Sequence, residues 1–168
     1  PDFAPPTLAT PHVFEVTGRL TGDDEIELVS DNSYPGLPHD DIVYSSMATD
    51  ETQTNWNGVL GYLRLRVEDA AFIHAVRAYP RGGKLDVCVE IAADMPWEGV
   101  LTVGSEALAE PASANASVES GIHEVWLRGL PLAVDVRRWD EDEGNLYALT
   151  ASGDGLEAKT VAFGVRDF

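Results

Sequence analysis

The chain is written in a two-residue rhythm. In KLDVCVEIA (84–92), Leu85, Val87, Val89 and Ile91 alternate with Lys84, Asp86, Cys88 and Glu90. Successive side chains of an extended strand point to opposite faces, so this pattern separates an apolar face from a polar one only as β-structure. Alternation or β-branched and aromatic enrichment recurs in VFEVTGRL (13–20), EIELVSD (25–31), YLRLRVED (62–69), AFIHAVRAYP (71–80) and GVLTVGS (99–105). It continues in HEVWLRGL (123–130), LAVDVRRW (132–139), LYALTAS (146–152) and KTVAFGVRDF (159–168). Turn chemistry punctuates these runs at Gly22-Asp23-Asp24, Tyr34-Pro35-Gly36, Arg81-Gly82-Gly83, Gly129-Leu130-Pro131 and Gly153-Asp154-Gly155. No stretch carries three helical turns with caps. Short, regularly interrupted antiparallel strands predict an all-β sandwich.

The strands are unevenly distributed, and a boundary is expected near residues 68–72. Residues 69–168 hold seven strand segments in about 100 residues, the size and count of an immunoglobulin-like sandwich, without its Cys…Trp…Cys pattern. Residues 1–68 hold too few strands to close a sheet, and an irregular stretch from Ser30 to Asn57. A structureless run of that length in a compact domain is functional or marks a missing part. The first segment is therefore expected to belong to a larger β domain.

Charge limits the partners. The chain carries 29 Asp and Glu against 11 Lys and Arg, a net charge of −18. Such a surface repels phosphate backbones and anionic lipid, so neither nucleic acid nor a membrane is expected as a partner. No apolar run approaches the roughly 18 residues of a spanning helix, and PDFAPPTLAT has neither the basic nor the apolar region of a signal peptide. The compartment stays open between bacterial cytoplasm and secretion. Cys88 is the sole cysteine, so no internal disulfide or multi-cysteine zinc site forms. Its place in LDVCVEI predicts a buried, inert thiol. His12, His39, His74 and His123 show no metal-ligand spacing. The acidic turn Asp140-Glu141-Asp142-Glu143-Gly144 has Ala151 where a calcium loop needs glutamate, and reads as a solvated turn. No metal and no cofactor are expected. Asn115-Ala116-Ser117 is a glycosylation acceptor only in a eukaryotic secretory setting, which the scarcity of lysine argues against.

Three stretches, in order, carry a family likeness. TPHVFEVTGRLTGDDEIELVSDN resembles strands of the sugar-binding jelly roll of glycoside hydrolase family 2, the β-galactosidase, β-glucuronidase and β-mannosidase group. DETQTNWNGVLGYLRLR resembles that domain's last loop and strand. VRRWDEDEGNLYALTAS followed by KTVAFGVRDF resembles the end of the family's immunoglobulin-like domain, with acidic residues where relatives place prolines and Val165 for an aromatic. The resemblance implies residues 1–68 as the C-terminal part of the jelly roll and residues 69–168 as an immunoglobulin-like sandwich. It also implies that the catalytic glutamates lie in a barrel following Phe168. No catalytic residue is then expected in this chain, which reads as an inactive fragment of a retaining β-glycosidase.

What this segment can offer is a loop. Asp50, Glu51, Thr52, Gln53, Asn55, Trp56 and Asn57 are the substrate-binding candidates. Amides and carboxylates suit paired sugar hydroxyls, and an indole face suits the C–H face of a sugar. In relatives the equivalent loop reaches toward the barrel. The alternative is a structural corner in which Trp56 packs under the loop and the asparagines satisfy local backbone. Trp126, Trp139 and Tyr147 are expected in the packing of the sandwich, and Trp97 at its edge. Expected partners are carbohydrate through the complete enzyme, the barrel and the rest of the jelly roll; an oligomer is compatible. Two rivals stand beside this reading: a free-standing carbohydrate-binding module, and a cell-surface immunoglobulin-like scaffold domain.

Overall fold

The computed structural model describes residues 11–29, 58–59 and 61–166. The chain divides into two units, Pro1–Leu65 and Arg66–Phe168. The second is an all-β sandwich of seven strands: β1 (Ala71–Arg81), β2 (Lys84–Ala93), β3 (Trp97–Gly104), β4 (Ala112–Val118), β5 (Gly121–Pro131), β6 (Tyr147–Gly153) and β7 (Leu156–Phe163). They form two antiparallel sheets, β1-β2-β5 and β4-β3-β6-β7. The connectivity is immunoglobulin-like, with β4 hairpinned onto β3 in the second sheet instead of lying beside β5.

The two-residue rhythm builds the core directly. Leu85, Val87, Val89 and Ile91 of β2 are fully buried, and across the sandwich they meet Leu101 and Val103 of β3 and Leu149 and Ala151 of β6. The β1–β2 hairpin closes through Gly82 and Gly83, both at positive φ (57° and 75°). That is the geometry a two-residue turn needs to match strand twist. Gly99 is required for space: a Cβ there would lie 2.8 Å from the Trp97 ring. The indole lies across the strand because its Nε1 donates to the Asp154 carbonyl at 3.0 Å, while the Asp154 carboxylate accepts the Val100 N–H at 2.9 Å. Trp97 thus locks the β6–β7 turn onto β3.

A bulge between Ile73 and Ala75 interrupts the β1–β2 ladder. Lys159 of β7 donates its amine to the His74 and Ile73 carbonyls, at 2.6 and 3.3 Å, and so links the edges of the two sheets. Desolvation, reinforced by the charge of Arg66, pulls this amine below the ordinary lysine range.

Four expected strands do not form. Residues 13–20, 25–29 and 62–69 are irregular, and Val13, Ile26, Leu28, Val29, Leu63, Leu65 and Val67 lie exposed. Alternation becomes a strand only when a partner ladder accepts it, and among the described residues none does. A local turn does form there: the Thr21 and Gly22 amides donate to the Asp24 carboxylate at 2.6 and 3.0 Å, holding it below the usual carboxylate range. Residues 132–139 are the fourth. Pro131 ends the ladder, having no N–H to give, and the chain turns at once, with the Val136 amide on the Ala133 carbonyl. The seventh strand of the sandwich is instead β4, ASANASV. Its intrinsic β-propensity is low, yet Ala112, Ala114 and Ala116 pack on the core while Ser113, Asn115 and Ser117 face out.

Candidate functional site

The sequence-derived binding candidates Asp50, Glu51, Thr52, Gln53, Asn55, Trp56 and Asn57 lie outside the described residues. Within the sandwich, the chemistry-bearing side chains concentrate in three places.

The first is the outer face of the β1-β2-β5 sheet. Cross-strand pairing sets Arg77, Cys88 and Trp126 in one row and Ala75, Glu90 and Glu124 in the next. Arg77 binds Glu90 at 2.5 Å and approaches Glu124 at 3.8 Å. Trp126 stacks on Tyr79 at 5.5 Å between ring centres, and the Arg128 guanidinium lies 4.0 Å over the indole. The indole N–H donates to Glu124 at 3.0 Å. Beneath this cover Cys88 is completely inaccessible, and desolvation pushes its thiol up. The thiol is thus buried as expected, but on the outer face of its sheet, not in the core. Trp126 serves as packing, as expected, though its partners are a tyrosine and an arginine. We expect Cys88 of the native protein to resist an aromatic disulfide reagent at pH 8. Trp126→Ala should speed labelling by more than tenfold; equal rates in the two proteins would show that the indole is not the cover.

The second is the β5–β6 connection. Tyr147, the first residue of β6, accepts the Arg137 amide at 2.7 Å and donates to the Arg137 carbonyl at 3.2 Å. This is the tyrosine corner of immunoglobulin-like sandwiches, where a ring at the start of the sixth strand ties down the chain that enters it. The connection continues with Trp139, whose amide donates to the Val165 carbonyl at 2.8 Å and whose ring lies under Arg166 at 4.8 Å. Asp140 accepts the Asp142 and Glu143 amides at 3.0 and 2.7 Å. That carboxylate therefore caps its own turn. Among the described residues no group of three or more His, Cys, Asp or Glu is placed to hold a metal ion.

The third is a cleft of about 290 Å³ at the Gly82-Gly83 end of the sandwich. It is lined by Arg81, Gly83, Leu132, Ala133, Val134, Val136, Arg138 and Val165. The Leu132 amide on the Gly83 carbonyl, at 3.1 Å, and the Ala133 amide on the Ala107 carbonyl, at 2.9 Å, fix its floor. Val134, at the tip of the turn, is fully exposed. No sequence signal had singled out this cleft, because it arises where the misread segment 132–139 folds back on the β1–β2 hairpin.

Among the described residues no helix is long and apolar enough to cross a membrane. No protein-family model matches the chain, and no curated protein sequence matches it. The structure is similar to a GH2 beta-galacturonidase from Eisenbergiella tayi, solved bound to galacturonate and bound to glycerol. Both comparisons give a TM-score of 0.51 and 14% identity, and cover 60% of this chain and 19% of that one. At this identity the likeness is one of fold: a β-sandwich of the kind found within a GH2 enzyme. The chain spans about a fifth of the length of the enzyme it matches.

Proposed function

We propose that this chain is the non-catalytic β-sandwich portion of a glycoside hydrolase, supporting and partly walling the pocket of a catalytic barrel that cleaves β-glycosidic bonds. The observation that carries this reading is the sandwich itself, whose fold is shared with part of a GH2 enzyme. The three sequence stretches that resemble the family point the same way. A supporting role fits the side chains of the sandwich. Among the described residues, Trp126 stacks on Tyr79, Tyr147 packs on Phe163 and Trp97 binds the Asp154 carbonyl, and Asp86, Glu90, Glu124, Asp140, Glu141 and Asp154 each bind a cation or an N–H.

The exposed apolar residues Val13, Ile26, Leu28, Val29, Leu63, Leu65 and Val67 fit a jelly roll whose other strands would cover them. In this reading residues 1–68 are its C-terminal part and the Asp50–Asn57 loop reaches toward the barrel's sugar. The beta-galacturonidase likeness makes a β-galacturonide the first substrate to try, with β-galactosides and β-glucuronides beside it.

The coding sequence on either side of this chain tests the proposal. It should continue into a (β/α)₈ barrel carrying two carboxylates spaced for a retaining mechanism, roughly 5–5.5 Å apart. Tandem copies of the sandwich, with no barrel, would contradict it in favour of a scaffold protein.

A further inference from the structure

The 11 lysines and arginines of this chain are outnumbered by 29 acids, so two cations set face to face stand out against the charge of the whole chain. Arg77, Arg128 and Arg166 bind Glu90, Asp86 and Glu141. At the Gly82-Gly83 end the pattern reverses. Arg81 and Lys84 face each other directly across the β1–β2 ladder, and among the described residues neither makes an ion pair. Like charges directly opposite on a ladder destabilise it.

Arg81 borders a surface suited to a ligand, and Lys84 faces it across the ladder. Arg81 lines the cleft together with Arg138, against an apolar wall of Leu132, Val134 and Val136. Two residues before Arg81 on the same face of β1, Tyr79 stands 46% exposed. Arg128 is 62% exposed, and its partner Asp86 also accepts the Gly129 amide. Asp135 lies at the turn tip next to Val134.

We propose that this end of the sandwich binds an anionic saccharide, a uronate-containing oligomer. Arg81 and Lys84 take its carboxylates, and the Tyr79 ring takes a C–H face of the chain. The anion follows from the charges. Guanidinium groups match planar carboxylates with paired hydrogen bonds. A cleft of about 290 Å³ holds one sugar unit, with neighbouring units passing over the open face. That the anion is a saccharide rests on the glycosidase reading. The site is separate from the Asp50–Asn57 loop and makes no use of it.

The test is an amide NMR titration of this chain with trigalacturonate, neutral galactotriose and inorganic phosphate, at a matched ionic strength of about 0.15 M. Trigalacturonate should shift the amides of Tyr79 to Lys84 and of residues 132–138, galactotriose should leave them in place, and phosphate should bind at least tenfold more weakly. R81Q/K84Q, two exposed hairpin positions, should weaken trigalacturonate at least tenfold while the unfolding midpoint stays in place. Equal affinity for phosphate would overturn the saccharide assignment. Absence of shifts at this end, or affinity unchanged in R81Q/K84Q, would overturn the site. These outcomes are read on a non-hydrolysing chain. They leave the glycosidase proposal to stand or fall on its coding sequence and its activity.

Discussion

Replacing Leu101 with alanine will lower the unfolding free energy of the sandwich by about 2–5 kcal/mol, the range of buried leucine truncations, and toward its upper half. Leu101 is completely buried on β3, which is paired on both sides. Its ladder neighbours are Ala114 on β4 and Gly153 on β6. Neither has a side chain long enough to lean into the space that the leucine leaves. The cavity therefore persists, and its cost adds to the lost transfer free energy. In a domain of this size each kcal/mol moves the thermal midpoint by about 4–8 °C, so the variant should melt at least 8 °C below the parent. Val100→Ala is the control. It sits on the other face of the same strand with 41% exposure, and should change stability by about 0.5 kcal/mol or less. Urea unfolding with an unchanged slope will separate a true stability loss from a less compact denatured state. Equal effects at positions 100 and 101 would contradict the alternation on which the core is built.

Tyr147→Phe should cost about 0.5–1.5 kcal/mol, the net worth of a typical hydrogen bond, because the Arg137 backbone groups it frees are exposed and water can replace the hydroxyl. The hydroxyl serves both the amide and the carbonyl of Arg137, while the ring packs against Phe163 at 6.1 Å. Phenylalanine keeps the ring packing and removes only the tether, so the loss will be local. Hydrogen exchange at the Arg137 amide should accelerate by tenfold or more, with β2 and β3 still protected. A variant as stable as the parent, with Arg137 still slow to exchange, would mean that the 132–146 connection is held by Trp139 and the Asp140 turn alone.

These positions also mark where the sequence was readable. Leu85 to Ile91 and Gly99 to Val103 alternate so regularly that strand and core face follow from period alone, and the Gly82-Gly83 and Asp154-Gly155 turns follow from backbone chemistry. Strand β4 was missed because Ala, Ser and Asn have little preference for extended structure; β3 and the core decide its state, which local propensity cannot show. The opposite error was made at 132–139, where LAVDVRRW alternates well, but Pro131 breaks the ladder and Tyr147, ten residues beyond Arg137, reclaims the segment as a tethered connection. The N-terminal alternation of 13–20 and 25–29 is as good as that of the sandwich, yet without a partner ladder it stays irregular. The candidate loop from Asp50 to Asn57 rests on side-chain chemistry alone and lies outside the described residues. The Arg81–Lys84 pair was invisible in sequence because its meaning depends on two cations meeting across a hairpin in a chain otherwise rich in acids.

The central proposal, a supporting sandwich whose chemistry belongs to a barrel, is tested most directly by an activity comparison. Chromogenic β-galacturonide, β-galactoside and β-glucuronide are offered to this chain alone and to the product of the full coding sequence. The full product should hydrolyse at least one of them with retention of configuration, and this chain alone should release no chromophore above the uncatalysed background. Repeated turnover by the isolated chain, or a full product inert toward all three, would contradict the proposal.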